Sequence, residues 1–347
     1  MSNNQQPLVT ISFPVYEGDD YVSDSINSVL AQDYENLEII IIDDCGKTNA
    51  MQIVRDCIER FPKKRDIRIL RQPHNMEQGP ARNRSLDEAK GEYIFFMDAD
   101  DTITENCISL MVSTILKEQV TFVEGCSRTL DGHIYTQNDS LHKQCVKGDR
   151  TLLDAIYHNQ LKCAFYITNK LFNIEFLRKN NIRCISPHFD DFHHAFQVFC
   201  KATSCVVLPD ITYKYTIRSG QITQTYKSNV TLATAEIVRN FVCLEYKELE
   251  DWEDSVTRER ALLKCLKMGM PFIYKAYRST HISKETAKSI AKDILSYPKL
   301  RKTDYSEFSK YEEKKHLYYR ILQTFPLPIR LILFRCVNFT IYKKKGV

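Results

Sequence analysis

The sequence predicts an α/β fold: a doubly wound, mostly parallel sheet with flanking helices. Three observations carry that reading. Up to residue 104, short apolar runs alternate with stretches of helical periodicity. The runs are apolar at successive positions rather than at every second one, which marks strands buried on both faces. Three of the runs end in polar or acidic residues. In open parallel sheets, ligands bind beyond the carboxyl ends of the strands.

The elements follow in order. LVTISF (8–13) reads as a strand that runs into the loop PVYEGDD, and Tyr21 to Gln32 places Val22, Ile26, Val29 and Leu30 at helical spacing. LEIIII (37–42) is a second strand and stops at Asp43 and Asp44. Ala50 to Phe61 reads as a helix, IRIL (67–70) as a third strand, and Gly79 to Ala89 as a helix ended by Gly91. YIFFM (93–97) is a fourth strand, and Asp98, Asp100 and Asp101 follow it. Beyond residue 105, VTFVEG and VVLPDITYKYTI read as strands and FDDFHHAFQVF as a helix start. From about residue 229 strand signals cease, and Ala233–Trp252, Ser255–Tyr277 and Ser283–Tyr297 read as amphipathic helices. Ser283, with Glu285 and Thr286 behind it, has the makings of an N-terminal cap. The chain thus divides into an α/β domain (1–228), a helical region (229–324) and a basic amphipathic tail (325–347).

A chain of 347 residues exceeds one ordinary core, which agrees with that division. The 12 cysteines form no C-x-x-C pair, so zinc-ribbon spacing is absent. With a polar N-terminal stretch in place of a signal peptide, they are expected to be reduced thiols of a cytoplasmic protein. From Lys314 onward there are eight Lys or Arg and no acid, which turns the overall +4 into −4 for the first 313 residues. A basic nucleic-acid-binding body is therefore excluded. FPLPIRLILFRCVNFTIYKKK (325–345) is apolar but holds Arg330 and Arg335. An arginine at the centre of a membrane span costs about 3 kcal/mol. The pattern fits a helix lying in the plane of a membrane surface, with its basic residues snorkelling, or a helix packed on the protein.

The acidic cluster after the fourth strand admits three readings. It could be a solvated turn, although three carboxylates so close repel one another. FFMDADDT also matches D-x-D-x-T of haloacid-dehalogenase-like phosphatases, with Asp98 as nucleophile and Asp100 as general acid. Against that, three strand–helix units precede the motif, and the later GDRTLLD follows no strong apolar strand. The third reading is a Mg²⁺ or Mn²⁺ site for a diphosphate, because hard cations take carboxylates together with substrate phosphates.

PLVTISFPVYEGDDYVSDSINSVLAQDYENLEIIIIDD followed by GPARNRSLDEAKGEYIFFMDADD, almost continuous over residues 7–104, resembles a family 2 glycosyltransferase of the GT-A fold, the bacterial capsule and polysaccharide type. The resemblance implies inverting transfer of a sugar from a nucleotide sugar, in particular a UDP-hexose or UDP-N-acetylhexosamine. The acceptor would be a hydroxyl of a glycan or a lipid-linked glycan. It implies that Pro14 and Tyr16 frame the base, that Asp44 reads the base edge with Asp43 in support, and that Arg82 meets the nucleotide. An Arg in the first turn of a helix also opposes the helix dipole, which an anionic ligand would relieve. Asp100 is implied to hold the metal, with Asp98 on the ribose and the metal's shell.

SPHFDDFHHAFQVF (186–199) resembles the family's E-D motif with Asp190 in place of Glu, which makes Asp191 the base and Asp190 its neighbour. Repulsion between the two would raise the base's pKa. His188, His193 and His194 are read as solvated or hydrogen-bonded helix residues rather than metal ligands. YKYTIRSGQIT (213–223) resembles the segment in which relatives carry Y-x-x-R-x-x-S-I-S, so Arg218 is read either as a clamp on the diphosphate or as a surface residue at a strand end. A non-catalytic sugar-nucleotide-binding scaffold stays as the non-enzyme alternative. A lipid-linked acceptor would suit a peripheral protein on the inner face of the cell membrane, held through the tail.

Overall fold

The computed structural model describes residues 6–129, 142–184, 190–217, 232–250, 252, 255–303, 305–306 and 308–333. Two compact units divide the chain, Met1–Arg218 and Ser219–Val347.

The first unit begins with the expected alternation. β1 (Val9–Val15), α1 (Val22–Leu30), β2 (Leu37–Asp43), α2 (Ala50–Arg60), β3 (Asp66–Arg71), α3 (Gln78–Glu88) and β4 (Tyr93–Phe96) follow one another. β1 pairs in parallel with β2 and β4, and β2 with β3. Every residue of β1 and β2 is buried, as their unbroken apolar runs require. The chain winds outward from β1 to β3 and then returns to place β4 on the other side of β1. This reversal is the topological switch point at which such sheets open a ligand crevice.

The remainder is mixed. β5 (Thr102–Ile103), α4 (Cys107–Glu118), β6 (Phe122–Thr129), β7 (Gln144–Lys147), α5 (Leu152–Tyr157), β8 (Lys170–Asn173), α6 (Ile174–Lys179), α7 (Asp190–Lys201) and β9 (Ser204–Tyr215) complete the unit. The strands lie in the order β3-β2-β1-β4-β8-β6-β9-β5, with β7 paired to β9. β8 lies antiparallel between β4 and β6, and β6 runs parallel to β9. On one face, α1, α2 and α4 pack Val22, Ile26, Val54, Met111 and Ile115 against β1 and β4. On the other, α7 lays His194 and Phe199 against Phe96, Phe122 and Phe172.

One buried carboxylate fixes α3 and β4 to the sheet. Glu38 on β2 accepts from Thr10 Oγ1 (2.5 Å), the Lys90 and Gly91 amides (2.6 and 3.0 Å) and Arg68 Nη2 (3.0 Å). Burial alone would raise its carboxyl, but these bonds outweigh burial and hold the pKa below the usual value.

In the second unit, α8 (Leu232–Leu249), α9 (Ser255–Arg278), α10 (Lys284–Leu295) and α11 (Lys310–Gln323) form a helical layer. Ser283 caps α10 by accepting from the Thr286 amide, as its sequence suggested. A Cβ on Gly269 would stand 2.9 Å from Ile294 Cγ2, so α9 and α10 cross in close contact there. Buried Glu259 takes Arg258 Nη1 at 2.7 Å and His316 Nε2 at 2.8 Å, which ties α9 to α11. Arg330, expected to snorkel, instead donates to the carbonyls of Gln323, Phe325 and Leu295 and so caps two helix ends. No described helix is long and apolar enough to cross a membrane, and every described cysteine is a free thiol.

Glu38→Ala is expected to lower stability by about 3 kcal/mol or more, because four donors lose their acceptor. Urea titration measures it. The depressed pKa means that Glu38 stabilises the fold above the ordinary glutamate range and loses that effect as the pH falls through it. Glu38→Gln should therefore flatten the acid limb of the stability curve relative to wild type.

Candidate active site

Three strand ends and one helix start carry the candidate side chains, and Arg82 joins the end of β4 to the start of α7. α3 begins at Gln78, so Arg82 sits in its second turn rather than the first. The guanidinium is 0 % exposed. Its Nη2 donates to Asp98 Oδ1 at 2.5 Å, and its Nη1 donates to Asp190 Oδ2 at 2.6 Å and to Asp191 Oδ1. Gln78 Nε2 also donates to Asp98 Oδ1, at 2.5 Å. Acidic residues are stabilised in the first turn of a helix, which suits Asp190 and Asp191 at the start of α7. Burial opposes the charge on Arg82, but the carboxylates of Asp191, Asp98 and Asp190 outweigh it and keep the guanidinium cationic.

Asp191 keeps 30 % of its side chain exposed, whereas Asp190 is almost covered. Burial pushes the Asp191 pKa up to about 7; Arg82 opposes that rise, and the charges of Asp190 and Asp98 add to it. One carboxylate of the pair is therefore reachable and poised near neutrality, where a general base works best.

The acidic turn after β4 is fixed through its third member. Asp101 is buried, takes the Tyr213 hydroxyl at 2.7 Å and takes the Thr216 amide at 2.9 Å. Burial and the charges of Asp100 and Asp98 push its pKa up to about 8. Tyr213 also accepts from the Asp98 amide at 3.4 Å, so β9 holds the turn in place. One oxygen from each of Asp98, Asp100 and Asp101 lies within 4.8 Å of the others. An all-oxygen set with two partly exposed carboxylates fits Mg²⁺ or Mn²⁺ arriving with substrate phosphates. Asp101 is buried with both oxygens accepting hydrogen bonds, whereas Asp98 and Asp100 are partly exposed and so more accessible to an arriving ion.

The residues expected to meet a nucleobase lie at the ends of β1 and β2. Asp44 is buried and accepts from the Met76 amide at 2.8 Å; burial raises its pKa. Asp43 accepts from the Cys45 amide at 3.0 Å, with Cys45 in the left-handed region (φ 59°). A Cβ on Gly46 would meet the Tyr16 carbonyl oxygen at 1.2 Å, so only glycine lets these two loops touch. Tyr16 is 41 % exposed, while Pro14 is buried within β1. Pairing of β1 with β4 stops at Ser12, so Pro14 lies where β1 is open on that side and a proline is tolerated.

One sequence expectation changes: His193 and His194 are both buried, and the His194 ring nitrogens are neither solvated nor hydrogen-bonded. His194 packs edge-on to Phe96 and Phe172, and burial drops its pKa to about 3, so it is a neutral core residue. Its spacing from Asp190 and Val198, i+4 on each side, is the signal that could have placed it inward. His188 and Arg218 lie outside the described residues. Sequence reasoning also missed Gln78 and Tyr213, and found no role for Asp101. Tyr213 lies on the inward alternation of a strand, but nothing local says which carboxylate it meets.

Sheet order and acidic crevice define a GT-A fold. The Glycosyl transferase family 2 model matches residues 10–182, and the chain belongs to that family. It is 32 % identical over 119 residues to an uncharacterized glycosyltransferase of Haemophilus influenzae, covering 34 % of this chain and 46 % of that protein. It is 34 % identical over 118 residues to the Escherichia coli UDP-Glc:alpha-D-GlcNAc-diphosphoundecaprenol beta-1,3-glucosyltransferase WfgD, covering 34 % and 45 %. These matches span about half the length of those relatives. The S. aureus TarS 1-349 structure in complex with UDP-GlcNAc superposes with a TM-score of 0.61 at 18 % identity, over 91 % of this chain and 90 % of that one. The phosphatase reading of the D-x-D-x-T turn is not favoured by these findings.

Arg82→Met is expected to cost roughly 3–5 kcal/mol, because it leaves buried carboxylates without their cation. Thermal melts with and without Mn²⁺ check the reason. The variant should recover more from the metal than wild type gains, and equal gains would contradict the account.

Proposed function

We propose that the protein is an inverting glycosyltransferase that moves a hexose or N-acetylhexosamine from a UDP-sugar to a hydroxyl of a glycan or lipid-linked acceptor. The observation that carries this reading is that Arg82 bonds Asp98 after β4 together with Asp190 and Asp191 of α7, at the same edge of the parallel sheet where β2 ends in Asp43 and Asp44. Asp44 offers an acceptor to a uracil N–H, and exposed Tyr16 offers an aromatic face to the ring. Asp98 and Asp100 would hold Mg²⁺ or Mn²⁺, which when bound neutralises charge on the leaving diphosphate. Arg82 supplies a fixed positive charge beside Asp98, and Arg218 is the further candidate for the diphosphate.

Asp191 accepts the proton of the acceptor hydroxyl. The new C–O bond forms at the anomeric carbon as the bond to the diphosphate breaks on the opposite face, so the configuration inverts. Asp190 holds Arg82 and keeps the Asp191 pKa high through its charge. The E. coli relative's diphosphoundecaprenol-linked substrate supports a lipid-linked acceptor here, and with it a peripheral position on the cytoplasmic face of a membrane.

A panel of nucleotide sugars with Mn²⁺, followed by nucleotide release and by calorimetry, tests the reading. Binding and release from none would sink it; binding without turnover would favour the scaffold. Asp191→Asn should keep donor binding and lose about 10²–10⁴ in kcat. In wild type, kcat/KM should rise with pH through about 7, as Asp191 loses its proton. Asp190→Asn removes a charge that raises that pKa, so its rising limb should move to lower pH; a limb that stays in place would remove Asp191 as the base.

A further inference from the structure

Away from the acidic site, several large apolar side chains of the described residues lie exposed on the helical unit. α11 buries His316, Tyr319 and Leu322 on one side. On the other, Lys310, Lys314, Leu317 and Ile321 fall at i, i+4, i+7 and i+11 on a single exposed stripe. Past the end of α11, Phe325, Ile329 and Ile332 are also exposed, the last two in a helical segment over 327–333 that Arg330 ties back to the Gln323 carbonyl. These five apolar side chains are 38–59 % exposed. A soluble surface rarely gathers so many large apolar groups without a partner.

Charge identifies the partner. Between 310 and 333 there are five Lys or Arg against Glu312 and Glu313, and no acid follows to the end of the sequence. Glu312 is already engaged by the Ser309 amide and hydroxyl in a capping box. The first 313 residues carry −4, so a negative surface attracts this end of the chain and repels the rest. Apolar side chains flanked by lysines match the boundary of an anionic bilayer, where the apolar groups enter and the ammonium groups stay with the headgroups.

We infer that α11 and the segment 327–333 form a preformed docking face for an anionic lipid surface. This rests on the peripheral position proposed above but moves the contact from a free tail to a folded helical face. Arg330 is spent on helix carbonyls, so it holds the face together rather than reaching for lipid.

The test uses the full chain and sucrose-loaded vesicles of phosphatidylcholine, with or without about one-third phosphatidylglycerol. Wild type should sediment with the anionic vesicles only, and less so at high salt. Leu317→Asp with Ile321→Asp, and Lys310→Glu with Lys314→Glu, should each lower the bound fraction roughly tenfold. Circular dichroism checks that each pair still folds, which is expected because all four side chains are exposed. Variants that bind as wild type does, or equal binding to both vesicle types, overturn the inference. So does a wild type that ignores vesicles and instead self-associates through this face in sedimentation equilibrium. Nucleotide release from UDP-sugar in solution tests the transferase reading separately.

Discussion

The crevice depends on one balance of charge. A fully buried guanidinium is tolerable only when paired, and carboxylates gathered from two distant segments are tolerable only with a cation between them. Arg82 and its partners Asp98, Asp190 and Asp191 meet both conditions at once. The consequence is positional. α7 is drawn to the end of β4 with its first turn at the strand end, so Asp190, Asp191 and Asp98 share one anchor. If Asp98 holds a divalent metal as proposed, that ion would share the carboxylate's charge with Arg82.

Two other buried carboxylates show how the surroundings assign different work to the same group. Glu38 meets four donors, one of them the Arg68 guanidinium, and these hold its pKa below the usual value, so it stays ionised and acts as a clasp. Asp101 has two donors and two acidic neighbours, and its pKa rises to about 8. It therefore holds the turn largely as a neutral group and adds little to the repulsion there. This gives the third acid of the cluster a role that its sequence position could not: it fastens the acidic turn to β9.

The parallel half of the sheet was legible because its strands are unbroken apolar runs separated by helical periodicity, and both signals are local. Asp98, Asp100, Asp190 and Asp191 were legible for the same reason, each pair lying at the edge of a strong pattern. β8 was not, since KLFN is four residues with a buried lysine at its head. Lys170 there is 1 % exposed and pairs at 3.1 Å with Glu124, also 1 % exposed, on β6. Such a pairing is fixed by the register of two strands far apart in sequence. Arg82 was placed at the nucleotide by resemblance, but a one-residue shift in where α3 starts moved it to the second turn. The dipole argument weakened, and three carboxylates took over the task of explaining its charge.

The same distinction between a residue's local pattern and its actual partner applies to Arg330. In sequence, an arginine within FPLPIRLILF reads as a cation looking for water or headgroups. In the fold, carbonyls at the ends of helices lack intrahelical partners, and a guanidinium with five donors meets those of Leu295 and Gln323, which end α10 and α11, together with that of Phe325 in the following turn. An apolar segment docked in this way turns part of itself inward, as Leu331 does, and must turn the rest outward. A free amphipathic tail would have to order itself on a surface at a cost in chain entropy. A face already held by its arginine has met that cost during folding, so the apolar contacts it makes later are not reduced by it.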